Sequence, residues 1–114
     1  MRIRITLKST RGKFDAIGVY EDGIVVVYKG SRVNKVTAEK IGGGSTVRAI
    51  RENKSLVDID GMLLADCTFS SPSTAANFVT GRSANGYVAW RVDEKNNLGK
   101  YLSRDKTKGS MQKY

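Results

Sequence analysis

The sequence predicts a single small α+β domain, an antiparallel sheet of about four to six strands with one or two helices packed against it. Three features carry this reading. Residues 2–7 alternate, with Ile3, Ile5 and Leu7 on one side and Arg2, Arg4 and Thr6 on the other, which is the period of a half-buried strand with a basic outer face. Asp22-Gly23 separates two apolar runs, Phe14–Tyr20 and Ile24–Tyr28, and is a strong hairpin signal. The run Phe69–Trp90, FSSPSTAANFVTGRSANGYVAW, holds a helix start, a helix stop and a turn pair in succession.

Taken in order, the first three strands form an antiparallel meander, with the β-branched run from Ile24 at its centre. Residues 30–45 are polar and glycine-rich. Val36–Ile41 suits at most a helical turn, and Gly42-Gly43-Gly44-Ser45 ends it. Ser45 or Thr46 is placed to cap a helix over Val47–Ser55, and Met62–Phe69 reads as a fourth strand after Asp60-Gly61. The clearest helix follows. Ser71 or Ser70 is the cap, the Ser71 hydroxyl being free to accept a first-turn N–H, and Pro72 suits the first helical position because its missing N–H has no intrahelical partner there. Ala75, Ala76, Phe78 and Val79 give the apolar face, and Gly81 supplies a left-handed stop. Asn85-Gly86 predicts a positive-φ turn into a strand, Tyr87–Val92, with Trp90 buried against the helix. Asp93–Asn97 reads as a turn and Leu98–Leu102 as a short closing helix. Residues 1–103 are expected to form the domain and residues 104–114 a basic flexible tail.

A chain of 114 residues suits one modest core, and 39% hydrophobic residues are too many for a disordered chain. No apolar run approaches the ~18 residues of a membrane span, and the alternating N-terminus is unlike a signal peptide. Cys67 is alone, so no intramolecular disulfide forms and a cytoplasmic location is expected. The formal charge of +9 is concentrated at the ends. Arg2, Arg4, Lys8, Arg11 and Lys13 precede any acid, and Arg104, Lys106, Lys108 and Lys113 face only Asp105. If these ends share a face, they make an anion-binding surface.

The chain has no His, which excludes imidazole acid–base work, Ser-His or Cys-His nucleophilic pairs and His-bearing metal sites. One Cys makes no zinc site. Asp58, Asp60 and Asp66 suit a turn better than a Mg²⁺ site, and the GGGS run lacks the Lys of a phosphate-binding P-loop. The expectation is therefore a non-enzyme with no cofactor and no metal.

The motif Ser71-Pro72-Ser73 with Ala75-Ala76, followed by Gly81-Arg82-Ser83-Ala84-Asn85-Gly86, an aromatic and a Trp, resembles the domain-of-unknown-function family 4357 (DUF4357). Gly23–Ser31, GIVVVYKGS, is similar to that family's upstream element, and the two bracket roughly residues 20–102. Family members commonly carry a longer polar helical stretch between the motifs, where this chain has its glycine run, and a Trp where this chain has Tyr87. The family is similar to RAMA-type modules, found beside restriction, methylation and nuclease domains and thought to read DNA, including modified DNA. The resemblance thus implies a nucleic-acid-binding module.

Caps and turns account for Ser71, Pro72, Gly81, Asn85 and Gly86. They account less well for Arg82 and Ser83, which follow a helix end and project from a tight loop, where an Arg can make a bidentate contact to phosphate or a guanine edge. Ser73 and Asn85 are candidates for added polar contacts, and Lys29, Arg32 and Lys35 for tracking a backbone. The leading expectation is a non-catalytic DNA-binding module in a restriction or defence setting. The rival is a small protein-interaction adaptor or inhibitor in a phage–host or defence system. Clustering of Arg82 with the terminal bases favours the first; a contiguous exposed apolar patch favours the second.

Overall fold

In the computed structural model, which describes residues 2–36 and 44–103, four strands form one antiparallel sheet in the order β1-β2-β3-β4. These are β1 (Ile3–Lys8), β2 (Asp15–Glu21), β3 (Ile24–Val27) and β4 (Cys67–Phe69). The helices are α1 (Gly44–Glu52), α2 (Pro72–Thr80) and the short α3 (Gly86–Ala89), and residues 98–103 are also helical. The α+β architecture is the one the sequence implies, with more helical segments than expected.

The alternation of residues 2–7 becomes β1, paired with β2 from Ile3↔Tyr20 to Lys8↔Asp15. Between β2 and β3 the chain reverses through Asp22 (φ 50°) and Gly23 (φ 86°), both left-handed, as a two-residue hairpin turn requires. The inner face of the sheet carries Ile5, Leu7, Ala16, Val25, Val27 and Phe69, all buried. Onto it packs α2, with Ala75, Ala76, Phe78 and Val79 fully buried and the rings of Phe69 and Phe78 5.0 Å apart in a tilted pair. Val47 of α1, Val33, Val57, Leu63, Trp90 and Leu98 complete the core.

The ends of α2 are those the sequence specifies. Ser71 accepts the Thr74 N–H on its hydroxyl at 3.1 Å, and Gly81 stops the helix at φ 79°. Trp90 is fully buried, as expected, and its indole N–H donates to the Pro72 carbonyl at 3.0 Å.

The segment after α2 differs from expectation. Asn85-Gly86 is not a hairpin turn and Tyr87–Val92 is not a strand. Asn85 instead caps α3, its side-chain oxygen accepting the Tyr87 N–H at 3.0 Å. Gly86 is needed for space: a Cβ there would lie 2.1 Å from the Pro72 carbonyl carbon. Asn is as good a helix cap as a turn former, so the local pattern fits both, and the docking of α3 on the start of α2 decides. Only Arg91 keeps strand-like pairing, exchanging backbone hydrogen bonds of 2.9 and 2.8 Å with Thr6.

Two further boundaries move. The strand expected over Met62–Phe69 is confined to Cys67–Phe69, because the Asp66 carboxylate takes the Lys29 N–H at 2.7 Å and interrupts the ladder. Met62 and Leu63 keep isolated bridges to Arg32 and Val57. Helix α1 starts at Gly44, so Ser45 and Thr46 lie inside it rather than capping it, and it ends at Glu52. Beyond it the Asn53 side chain accepts the Ser55 N–H at 2.9 Å and turns the chain. Asp93 organises the expected turn by accepting the N–H groups of Lys95 and Asn96, both at 2.8 Å. Most of the possible helical turn over Val36–Ile41, the first two glycines of the GGGS run and the tail 104–114 lie outside the described residues.

Replacing Gly86 with Ala should cost about 2–3 kcal/mol in chemical denaturation, since backbone rather than a movable side chain meets the new methyl. Gly23→Ala, where φ is positive but the space is open, should cost only about 1 kcal/mol.

Candidate functional site

The loop after α2 is built by α2 itself. Ser73, Asn77 and Thr80 stand at i, i+4 and i+7 along the helix. Their side-chain oxygens accept the backbone N–H groups of Gly86 (3.0 Å), Ala84 (2.7 Å) and Arg82 (3.4 Å). Every second amide of the returning chain therefore lands on one face of α2. The Thr80 hydroxyl donates onward within reach of the Ala76 and Arg82 carbonyls, at 2.8 and 3.0 Å. Asn77 and Thr80 are buried, so these bonds are made away from water, where leaving them unmade is costly. On this support Arg82 and Ser83 project outward, both exposed.

Arg51 fixes the same corner from the other side. Its guanidinium donates to the Phe78 carbonyl near the end of α2 and to the Asn34 carbonyl of the segment after β3. Burial pulls its pKa below the ordinary value, yet an arginine stays charged, and the cation suits the negative end of α2. Gly81 lies so close to this segment that a Cβ would meet the Val36 carbonyl oxygen at 2.0 Å.

Arg32 is placed by three contacts. Its backbone exchanges hydrogen bonds of 2.9 and 2.8 Å with Asp15. The neighbouring Ser31 hydroxyl, buried, accepts the Ile17 N–H at 3.0 Å. The Arg32 side chain donates to the Gly12 carbonyl at 2.7 Å, tying it to the β1–β2 loop. That loop closes on itself through Ser9 N–H to Phe14 O at 3.0 Å, with Gly12 at φ 70°.

These elements enclose a cleft of about 1230 Å³ between the β1–β2 loop, the Arg32–Val36 segment and the end of α2. Among its described lining residues are the cations Lys8, Arg11, Lys13, Arg32, Lys35 and Arg82, against one carboxylate, Asp60. Asp60 lies 3.8 Å from Lys35, and both are exposed, so the pair is weak. Among the described residues Lys8, Arg11, Lys13 and Arg82 form no ion pair. Like charges held this close in a concave site attract an anion and hold it by charge-assisted hydrogen bonds. No group of three or more Cys, Asp or Glu among the described residues is arranged to hold a metal. No helix among them is long and apolar enough to cross a membrane.

Of the residues singled out from sequence, Arg82 and Arg32 meet in this cleft, and Lys35 joins them. Lys29 lines a neighbouring depression that shares Arg32. Ser83 sits beside Arg82 on the loop. Ser73 and Asn85 hold the fold instead, Ser73 accepting the Gly86 N–H and Asn85 capping α3. The sequence alone places Lys8, Arg11 and Lys13 in a basic end without attaching them to Arg82. The acid-free start is the available signal, and only the hairpin geometry shows where it points.

The fold and cleft describe a small α+β module with a cationic recess next to its motif loop. The family model described as "Domain of unknown function (DUF4357)" matches residues 5–102, and the chain belongs to this family. Neither the comparison with curated proteins nor that with solved structures gives a match.

The ladder predicts a specific loss. Asn77→Ala leaves the Ala84 N–H without its acceptor and should cost about 1–3 kcal/mol of stability. Hydrogen exchange should show protection at Ala84 and Arg82 falling with it, while the β1–β2 amides keep theirs.

Proposed function

We propose that this DUF4357 domain is a non-catalytic nucleic-acid-binding module, for DNA before RNA, acting in the cytoplasm in a restriction or defence setting. The observation that supports it is the gathering of Arg82 with Lys8, Arg11, Lys13 and Arg32 around one cleft. This is the N-terminal part of the clustering that favours a polyanion over a protein partner; the C-terminal cations lie outside the described residues. The cations Lys8, Arg11 and Lys13 contribute phosphate contacts, which carry affinity and no sequence information. Arg82 stands on the rigidly supported loop, where an Arg fork can address a base edge as well as a phosphate. Likeness to RAMA-type modules points the same way and extends the reading to modified DNA.

The rival reading, a protein-interaction adaptor or inhibitor, draws on another surface. Tyr87 and Val88 of α3 stand 40% and 60% exposed. Burial, followed by the neighbouring Tyr87, raises the Tyr20 pKa. These are apolar groups of the kind a protein partner covers.

Titration of the full chain against several duplexes, modified and unmodified, at two salt concentrations tests the proposal. Wild type should bind with affinity falling steeply with salt. Replacing Lys8, Arg11 and Lys13 together with Ala should reduce the log–log salt slope by about 0.9 for each phosphate no longer neutralised and weaken all duplexes alike. Arg82→Ala should cost on the order of 1–3 kcal/mol and blunt discrimination between duplexes. Absence of binding by wild type at low salt to any duplex and to single strands alike would end this reading and bring the protein-partner rival forward.

A further inference from the structure

The basic cleft does not end at Arg32. The same side chain also lines a second depression of about 620 Å³ on the outer face of the sheet. There Ile17, Tyr28 and Met62 form an apolar floor, flanked by Arg4, Lys29 and Arg32. Ile17 is 36% and Met62 42% exposed, on the side of the sheet away from α2. The one carboxylate among its described lining residues is Asp15, which is exposed.

Resting on the nucleic-acid reading above, we propose that the bound form is a single strand, its phosphates along the basic cleft and its bases turned at Arg32 onto the sheet over Ile17, Tyr28 and Met62. The two depressions differ in the way the two parts of a nucleotide differ. The first offers Lys and Arg with little apolar surface, suited to phosphate. The second offers an aromatic ring and aliphatic side chains rimmed by cations, suited to the face of a base beside its phosphate. In a duplex the base faces are stacked on one another and only groove edges are available, so an apolar floor next to a phosphate track has no group to receive. A single strand leaves those faces free. The charge around the floor argues against an ordinary apolar protein segment as the occupant, because three cations would be desolvated with one acid to offset them.

The test uses the full chain and two fluorescent probes in anisotropy titrations at low salt: a thymidine homopolymer of about twelve nucleotides and a duplex of the same length. The single strand should bind more tightly than the duplex. Tyr28→Leu, which keeps apolar bulk and removes the ring, should weaken single-strand binding about 5- to 150-fold, the range for one base–aromatic stack. Its salt slope should match wild type, since the phosphate-binding cations are untouched. Because Tyr28 is half-buried, wild-type protein is also photocrosslinked to a 5-iodouracil oligonucleotide and the modified peptides mapped; crosslinks should fall on Tyr28 or on the segment holding Met62. Preference for the duplex, or crosslinks confined to the Arg82 loop, would overturn this inference and leave the nucleic-acid proposal standing. Failure of both probes to bind would overturn the two together.

Discussion

The arrangement on which the rest of this molecule depends is the row of hydrogen bonds from Ser73, Asn77 and Thr80 to the amides of Gly86, Ala84 and Arg82. It works because two periodicities nearly agree. Along the axis Ser73 and Asn77, at i and i+4, lie ~6 Å apart and Asn77 and Thr80, at i and i+3, ~4.5 Å, within reach of alternate amides of an extended chain at ~6.7 Å. A helix can therefore serve as the partner strand for a segment that has none. Gly81 reverses the chain so that it runs back along α2, and Gly86 lets it return to within contact of Pro72. Without this row, the loop bearing Arg82 would have backbone donors competing for water, and its side chains no fixed direction.

Much of this is legible in the sequence where one local rule applies without a competitor. Alternation in residues 2–7, Asp22-Gly23, and Ser71-Pro72 through Gly81 each admit one reading, and each element is there. Legibility fails where one residue type serves two geometries. Asn85-Gly86 is both a turn pair and a helix cap followed by a space-demanding glycine, and the choice lies in the contact with Pro72, which is 14 positions away from Gly86 in the chain. Ser73 reads as a candidate for a contact outside the chain, whereas in the first turn of α2 it faces an amide 13 residues on. Asp66 similarly ends a strand pattern by reaching Lys29, 37 residues back. For the site, residue type is readable and assembly is not. Arg82 and Arg32 are identifiable as cations on loops, but their meeting with Lys8, Arg11 and Lys13 follows from how the β1–β2 hairpin folds toward the end of α2.

The cleft also shows how a small core is made to carry a charged surface. Its cations stem from three separate stretches of chain, and one of them, Arg32, is tied by a backbone acceptor, the Gly12 carbonyl; Arg51, behind the cleft, is held in the same way by the carbonyls of Phe78 and Asn34. Backbone oxygens hold an arginine in place without cancelling its charge. Carboxylate partners would give similar positioning and a neutral surface. The positive field therefore survives the ordering of the side chains that produce it.

The Thr6–Arg91 pair joins the two ends of the described fold by backbone alone. It covers the outer side of β1 at its middle, on a strand that would otherwise present an open edge there. The strands β1, β2 and β3 all precede residue 28, but the cover for that edge comes only with residue 91, later in synthesis. Until then the like charges of Arg2, Arg4 and Lys8 disfavour pairing of that edge with a second copy. The basic residues of the first strand thus serve the chain before it has folded: electrostatic repulsion protects the edge until the last third of the sequence can close it.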